Sequence, residues 1–307
     1  MSEQIESVEQ FRSRARAWIE TNLGPAQGWD MSQHCDSDEE ELTAVARDRA
    51  LQRKLFDGGF AGICFPKEYG GQGLTAEHNR AFNEELAGHE YPSRFSVPTF
   101  SPCASTLLEF ATPEQKARHL PAILKGDEVW VQLLSEPGGG SDVAGISTGA
   151  VRDAQGDWIV NGSKVWTSRA WWADWGLMLV RTNWDVPKHQ GMSVFILPLH
   201  QSGIEIHRIE RLNGESEACQ EFFTDVKVPD SDRMGEVDAG WTIGQLEGEI
   251  ERDDGDRHAR HVLALGHRPR SKVSLAADDR LDLRLHRLLV ELDRTVEVPV
   301  VRHRHRG

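Results

Sequence analysis

Apolar residues at Ile5, Val8, Phe11, Ala15 and Trp18–Ile19 recur every three or four positions, which puts them on one face of a helix. Asn22–Pro25 then supplies turn residues that end it. A second helix is predicted over Ser37–Asp57. Asp36, Ser37 or Asp38 caps it, acidic residues fill its first turn, and Gly58-Gly59 stops it. The glycine-rich segment Gly62–Gly73 reads as a loop before a helix at about Thr75–Ala87. Thr112-Pro113-Glu114 starts a further helix, with a capping threonine and proline at the first helical position. From about Val129 the period changes. WVQLLSEP, GDWIVNGSKVWTS, WGLMLVRT, GMSVFILPL, GIEIHRI and CQEFFTDVKVP are short, rich in β-branched and aromatic residues, and separated by turn residues. The pattern predicts an α+β multidomain chain: an N-terminal helical domain over 1–129, a central β-barrel or sandwich domain over 130–235, and an incomplete or divergent C-terminal helical segment over 236–307.

Composition changes the picture most at the end of the chain. Residues 251–307 hold none of the 23 aromatic side chains but 12 arginines and six of the 13 histidines. That segment carries +3 and the first 250 residues -17, within a chain of -14. An Arg- and His-rich stretch without aromatics does not continue the core of the rest. Ala276–Leu292 reads as one helix through Leu281, Leu285, Leu288–Leu289 and Leu292, and the closing RHRHRG as a solvated basic end without a metal site. Net acidity argues against a nucleic-acid partner or an anionic membrane surface. Cys35, Cys64, Cys103 and Cys219 are widely spaced with no zinc spacing, which reads as thiols in a reducing compartment. No signal peptide and no run of 18 apolar residues is seen, so the expectation is a cytoplasmic protein without a membrane span.

Two segments carry candidate chemistry. In VQLLSEPGGGSDVAGISTGA (Val131–Ala150), an apolar strand runs into Ser135-Glu136-Pro137, three glycines, and Ser141-Asp142. Glycine lets backbone approach a planar ligand or a phosphate with N–H groups free to donate. Taken alone, GGG reads first as a glycine-rich hairpin turn. The second segment is NGSKVWTS, Asn161–Ser168. Near it, Trp166, Trp171, Trp172 and Trp175 fall within ten residues. They are read as cover for a large flat surface or as packing between the β-domain and the helices.

Read together and in this order, SEPGGGSD and NGSKVWTS resemble the acyl-CoA dehydrogenase family. Supporting stretches are FPKEYGG (Phe65–Gly71), EELA (Glu84–Ala87), TPEQKARHLPAILKG (Thr112–Gly126), Ala173-Asp174, FFTDVKVP (Phe222–Pro229) and GEVDAGW (Gly235–Trp241). The resemblance spans about residues 10–252. It implies a flavoprotein oxidoreductase of lipid metabolism that binds FAD along both segments. Gln132, Leu133, Leu134, Ser135, Gly140, Ser141, Trp166, Thr167 and Ser168 would form the cofactor site, with Ser135 and Ser168 near the reactive edge of the ring. Ser141 would also contact the CoA part of the substrate, and Glu249 and Arg252 fall on the acidic and arginine positions that contact substrate in the family.

The reaction implied is α,β-dehydrogenation of an acyl-CoA thioester, which needs a carboxylate base and donors for the thioester carbonyl. Some family members carry the base glutamate on the first helix after the GxGW-type segment, directly before an arginine. By that resemblance Glu251, ten residues beyond Trp241 and followed by Arg252, is the candidate base, while Glu247, Glu249 and Glu251 read otherwise as a solvated helix face. The implied partners are acyl-CoA, an electron-transfer flavoprotein or similar acceptor, and further subunits of a homo- or hetero-oligomer. Two other readings stand beside this one: a flavin-binding subunit without its own base, and a truncated or frame-altered homologue whose tail is unrelated to the family. PKHQG (Pro187–Gly191) and Arg181-Thr182 further resemble members acting on branched, aromatic or steroid-derived acyl chains.

Overall fold

Local capping decides where the helices start. The computed structural model describes residues 5–26, 35, 37–212 and 216–244, all within one compact unit. Helix α1 (Val8–Asn22) is capped by Ser7, whose side chain accepts from the Gln10 N–H, and it buries Phe11, Ala15 and Ile19. Ile5, expected on the same face, lies before the helix and is exposed. For α2 (Asp38–Asp57) the cap is Ser37, which accepts from the Glu40 N–H at 3.2 Å. Helix α3 (Ala76–Leu86) starts at Thr75, whose hydroxyl sits 2.8 Å from the His78 ring nitrogen. Between α3 and the next predicted helix the chain forms a π-helical segment, Ser96–Ala104, and a short helix α4 (Ser105–Phe110). Helix α5 (Pro113–Lys125) has Thr112 as cap, Pro113 at its first position, and a left-handed Gly126 (φ 79°) at its end.

The six predicted strand segments are strands. They are β1 (Trp130–Leu133), β3 (Trp158–Ser168), β4 (Trp175–Arg181), β5 (Met192–Pro198), β6 (Ile204–Arg208) and β7 (Ala218–Val228). Two short strands join them, β2 (Gly149–Arg152) and β8 (Arg233–Met234). The sheet runs β6-β7-β3-β2-β4-β5-β8, with β1 pairing in parallel to β4. The helical N-terminal part and the central β part are therefore both present as the sequence predicts.

Alternation along β4 explains why its neighbours bury both faces. Leu177 and Leu179 meet Leu107, Leu120, Ile123 and Leu124 from α4 and α5. Met178 and Val180 join Val160, Phe195, Phe223 and Val226 in a second core on the other face. A third core lies among α1, α2 and α3, around Phe11, Leu55, Phe60 and Phe82. One carboxylate ties helices to sheet: Asp174 accepts from Arg49 of α2 and from the Val129 N–H, both at 2.7 Å. Arg49 also donates to the Gly126 and Asp127 carbonyls.

No helix among the described residues is long and apolar enough to cross a membrane. Residues 245–307 lie outside the described residues. So do the helix expected at Ala276–Leu292, the RHRHRG end, and the readings of the tail as divergent, truncated or frame-altered.

The ends of α5 make these local signals testable. Thr112→Ala removes one cap acceptor and should lower stability by about 1 kcal/mol. Gly126→Ala forces a left-handed alanine whose Cβ would stand 2.9 Å from Gln52 Cβ, and should cost more, about 2 kcal/mol. Urea unfolding followed by tryptophan fluorescence measures both.

Candidate functional site

The chain leaving β1 runs beside β3, because the Val165 N–H donates to the Ser135 carbonyl at 3.0 Å. Glu136 and Gly139 then exchange both backbone hydrogen bonds, at 2.8 and 3.0 Å, so Pro137-Gly138 is a tight turn. The hairpin reading of the glycine run is thus realised in the structure. A methyl group at Gly138 or Gly140 would meet nothing within 4 Å. Within the chain, these two positions do not need glycine for room.

Below this turn lies a buried ion pair. Lys164 and Glu136 are both buried, with Nζ and Oε1 3.0 Å apart. Lys164 also donates to the Leu134 carbonyl. Glu136 accepts from the Ser147 N–H and hydroxyl and from the Thr148 N–H. Burial alone would raise the Glu136 carboxyl, but the Lys164 charge and these donors outweigh it and hold the group at about 2. Burial pulls the Lys164 ammonium down, against the attraction of Glu136.

Strand β3 carries two irregularities. Pairing with β7 slips between Val160 and Gly162 and again between Val165 and Thr167. At the first, Gly162 takes φ 147°, and a Cβ there would come within 2.6 Å of Thr148. At the second, Trp166 is the extra residue, in the left-handed region at φ 68°. Such bulges re-aim a side chain, and a non-glycine residue there is held by its surroundings at a cost. Trp166 is 62% exposed.

These two segments meet at a cavity of about 330 Å³, within the range of small-molecule sites. Gln132, Leu134, Ser135, Trp166, Thr167 and Ser168 line it, so six of the nine expected cofactor residues come together. Gln132 Nε2 is buried and has no hydrogen-bond partner, leaving a donor available at the wall. Leu133 alternates inward to the core and is not a lining residue. Gly140 and Ser141 are exposed on the far side of the turn and do not line this cavity either. Glu249, Glu251 and Arg252 lie outside the described residues.

The cavity has further walls. Ser93, Ser96 and Pro98 come from the segment before α4, and Arg169 and Glu217 form an ion pair at 3.1 Å on its edge. Of the four clustered tryptophans, Trp166 alone lines the cavity. Trp171 packs under the Arg208 guanidinium at 4.4 Å. Trp172 donates its indole N–H to Glu41. Trp175 stacks on Trp130 with centroids 5.8 Å apart. The packing reading accounts for three of the four.

Comparison with known proteins agrees with this layout. The acyl-CoA dehydrogenase N-terminal domain matches residues 6–127, and the acyl-CoA dehydrogenase middle domain matches residues 132–226. This chain belongs to the acyl-CoA dehydrogenase family. The acyl-CoA dehydrogenase IpdE1 of Mycolicibacterium smegmatis is 36% identical over 245 residues, covering 77% of this chain and 62% of the relative. IpdE1 of Mycobacterium tuberculosis is 34% identical over 248 residues, covering 81% of this chain and 64% of the relative. The chain therefore spans less than two thirds of the length of these relatives. Among solved structures, one named Tcur3481-Tcur3483 steroid ACAD matches with TM-score 0.62 and 28% identity, covering 95% of this chain and 68% of that one. The ChsE4-ChsE5 complex from Mycobacterium tuberculosis matches with TM-score 0.62 and 29% identity, covering 95% and 74%.

The ion pair predicts a pH-dependent penalty. Glu136→Gln leaves Lys164 buried without its counter-charge and should cost about 3–5 kcal/mol at neutral pH. The Glu136 carboxyl is held below its ordinary 4.5, at about 2, so its contribution is present above the higher value. It is lost as pH falls between them. Urea titrations at neutral pH and within that acid window should show the gap between wild type and variant closing. Adding Lys164→Met to Glu136→Gln should recover part of the loss at neutral pH.

Proposed function

We propose that this chain holds FAD and an acyl-CoA in an enzyme that introduces an α,β double bond into the acyl thioester. The observation that carries this reading is the cavity shared by the SEPGGGSD and NGSKVWTS segments. It offers a bulge-presented indole, the residues Ser135, Thr167 and Ser168, and the unpartnered Gln132 donor. These residues fit a flat ring system edged with hydrogen-bond acceptors. Bound FAD would supply the two-electron acceptor for the reaction. The chain's own residues hold and orient it: Trp166 against the ring, Gln132 and the hydroxyls at its edge. The wider set Gln132–Ser135, Gly140, Ser141 and Trp166–Ser168 remains our assignment for the cofactor.

Ser141, Glu249 and Arg252 are assigned to the acyl-CoA, and Glu251 to removal of the α-proton. The division into 1–129, 130–235 and 236–307 assigns the cofactor to the second part and the base to the third. A steroid-derived or similarly bulky acyl chain is favoured by the family resemblance of the Arg181–Gly191 region and by the solved neighbour named a steroid ACAD. Electrons would pass to an electron-transfer flavoprotein or similar acceptor. A cytoplasmic site is supported by four cysteines that form no disulfide.

A second reading, a flavin-binding subunit completed by a partner chain, is favoured by the solved neighbour that is itself a complex of two named chains.

Purified full-length chain with added FAD should be yellow, and should bleach on adding acyl-CoA with an electron acceptor. Colour without bleaching supports the second reading, and a colourless protein counts against both. Trp166→Ala should weaken FAD binding by about tenfold in an equilibrium titration. Glu251→Gln should keep the flavin and lose about 10²–10⁴-fold in turnover; full turnover would remove Glu251 from the role of base.

A further inference from the structure

Glu221 is a carboxyl where the strand pattern calls for an apolar side chain. It lies on β7 between Cys219 and Phe223, both in the core, and is itself fully buried. Its Oε2 is 2.9 Å from Thr167 Oγ1, while Oε1 is buried with no partner. Register sets Glu221 opposite Lys164 on β3 and Ile206 on β6. In a regular strand, positions 164 and 167 face opposite sides. The extra residue at Trp166 brings both to the face of Glu221. Thr167 thus touches Glu221 and also lines the cavity.

The geometry points to Glu221 as a positioning residue that sets which way the Thr167 hydroxyl faces the ligand in the cavity. As a neutral acid, Glu221 donates through Oε2 to Thr167 Oγ1, and the threonine's own hydrogen turns to the cavity. Once Glu221 is ionised, with its proton released to solvent, it accepts that hydrogen and leaves only lone pairs facing the ligand. An O–O distance of 2.9 Å serves either direction. The unpartnered Oε1 favours the neutral form, because an ionised buried oxygen without a donor is costly.

The groups around Glu221 fit this role. Lys164 and Thr167 face it from β3, apolar Ile206 from β6, and Cys219 stands two residues away on its own strand. Lys164 is already engaged by Glu136 at 3.0 Å. Burial pushes the Glu221 carboxyl up to about 8, against the hydrogen bond from Thr167 and the charge of Lys164. The neutral acid is therefore the form near neutrality, and the change falls in mildly alkaline solution.

The inference rests on the flavin reading above, so its test has one arm with FAD and one without. In the first arm, FAD binding to the full chain is titrated from about pH 6 to about pH 9.5. Wild type should weaken by about tenfold across the range, the worth of one hydrogen bond. Glu221→Gln, whose amide donates to Thr167 at every pH, should bind tightly and without that dependence, and Thr167→Val should also lose it. In the second arm, the ligand-free wild type carries ¹³C-labelled glutamate, and Glu221→Gln identifies the Glu221 carboxyl signal. That signal should titrate in the same alkaline range and move in Thr167→Val. A wild-type profile that is flat, a Glu221→Gln profile like wild type, or a Glu221 signal ionised throughout would each overturn the proposal. If FAD binds at no pH, the flavin reading fails, and the carboxyl titration alone decides whether Glu221 and Thr167 are coupled.

Discussion

The Glu136–Lys164 pair is the contact on which the site is built. A lysine with no solvent exposure has to have a counter-charge, and the counter-charge has to be satisfied in turn. Lys164 therefore draws the turn after β1 down onto β3, while Glu136 gathers the backbone of Ser147 and Thr148, just before β2. Three stretches far apart in sequence converge on one charge pair. The cavity walls from Gln132 to Ser135 and from Val165 to Arg169 take their relative position from it. A hydrophobic substitute could fill the same volume, but it would not specify which backbone groups meet there.

Much of the fold was legible because its signals are local. Ser37 and Thr112 cap helices with their own side chains, and Pro113 and Gly126 mark two ends of one helix. The apolar runs of β4 and β5 are unmistakable because both faces of those strands are covered. The stretch Ser96–Phe110 was not legible as helix: Pro98 and Pro102 argue against one, and the structure answers with a π-helical segment that leads into α4. β2 and β8 are too short to show alternation; their pairing partners define them.

The site was legible in part, for the same reason. Both motif segments were visible, and six of their residues share the cavity. Leu133 alternates into the core and does not line it, and Gly140 and Ser141, exposed beyond the tight turn at Pro137-Gly138, do not line it either. The tryptophan cluster was legible only as two alternatives. Composition alone cannot separate a ring that faces a ligand from three that pack on Arg208, Glu41 and Trp130. Ser93, Ser96, Arg169 and Glu217 carried no motif. Glu221 did carry a signal, a carboxylate at an inward position of an apolar strand.

Asp174 has a consequence beyond its own hydrogen bonds. Its carboxylate is shared between a helix of the N-terminal part and the backbone of Val129, directly before β1. Arg49 completes the link by holding the carbonyls at the end of α5. The two segments that match separate domains of the family are thus tied together by shared hydrogen bonds as well as by a shared core. Leu107, Leu120, Ile123 and Leu124 of the helical part cover Leu177 and Leu179 of the sheet, so each part shields apolar surface of the other across the chain between Lys125 and Trp130.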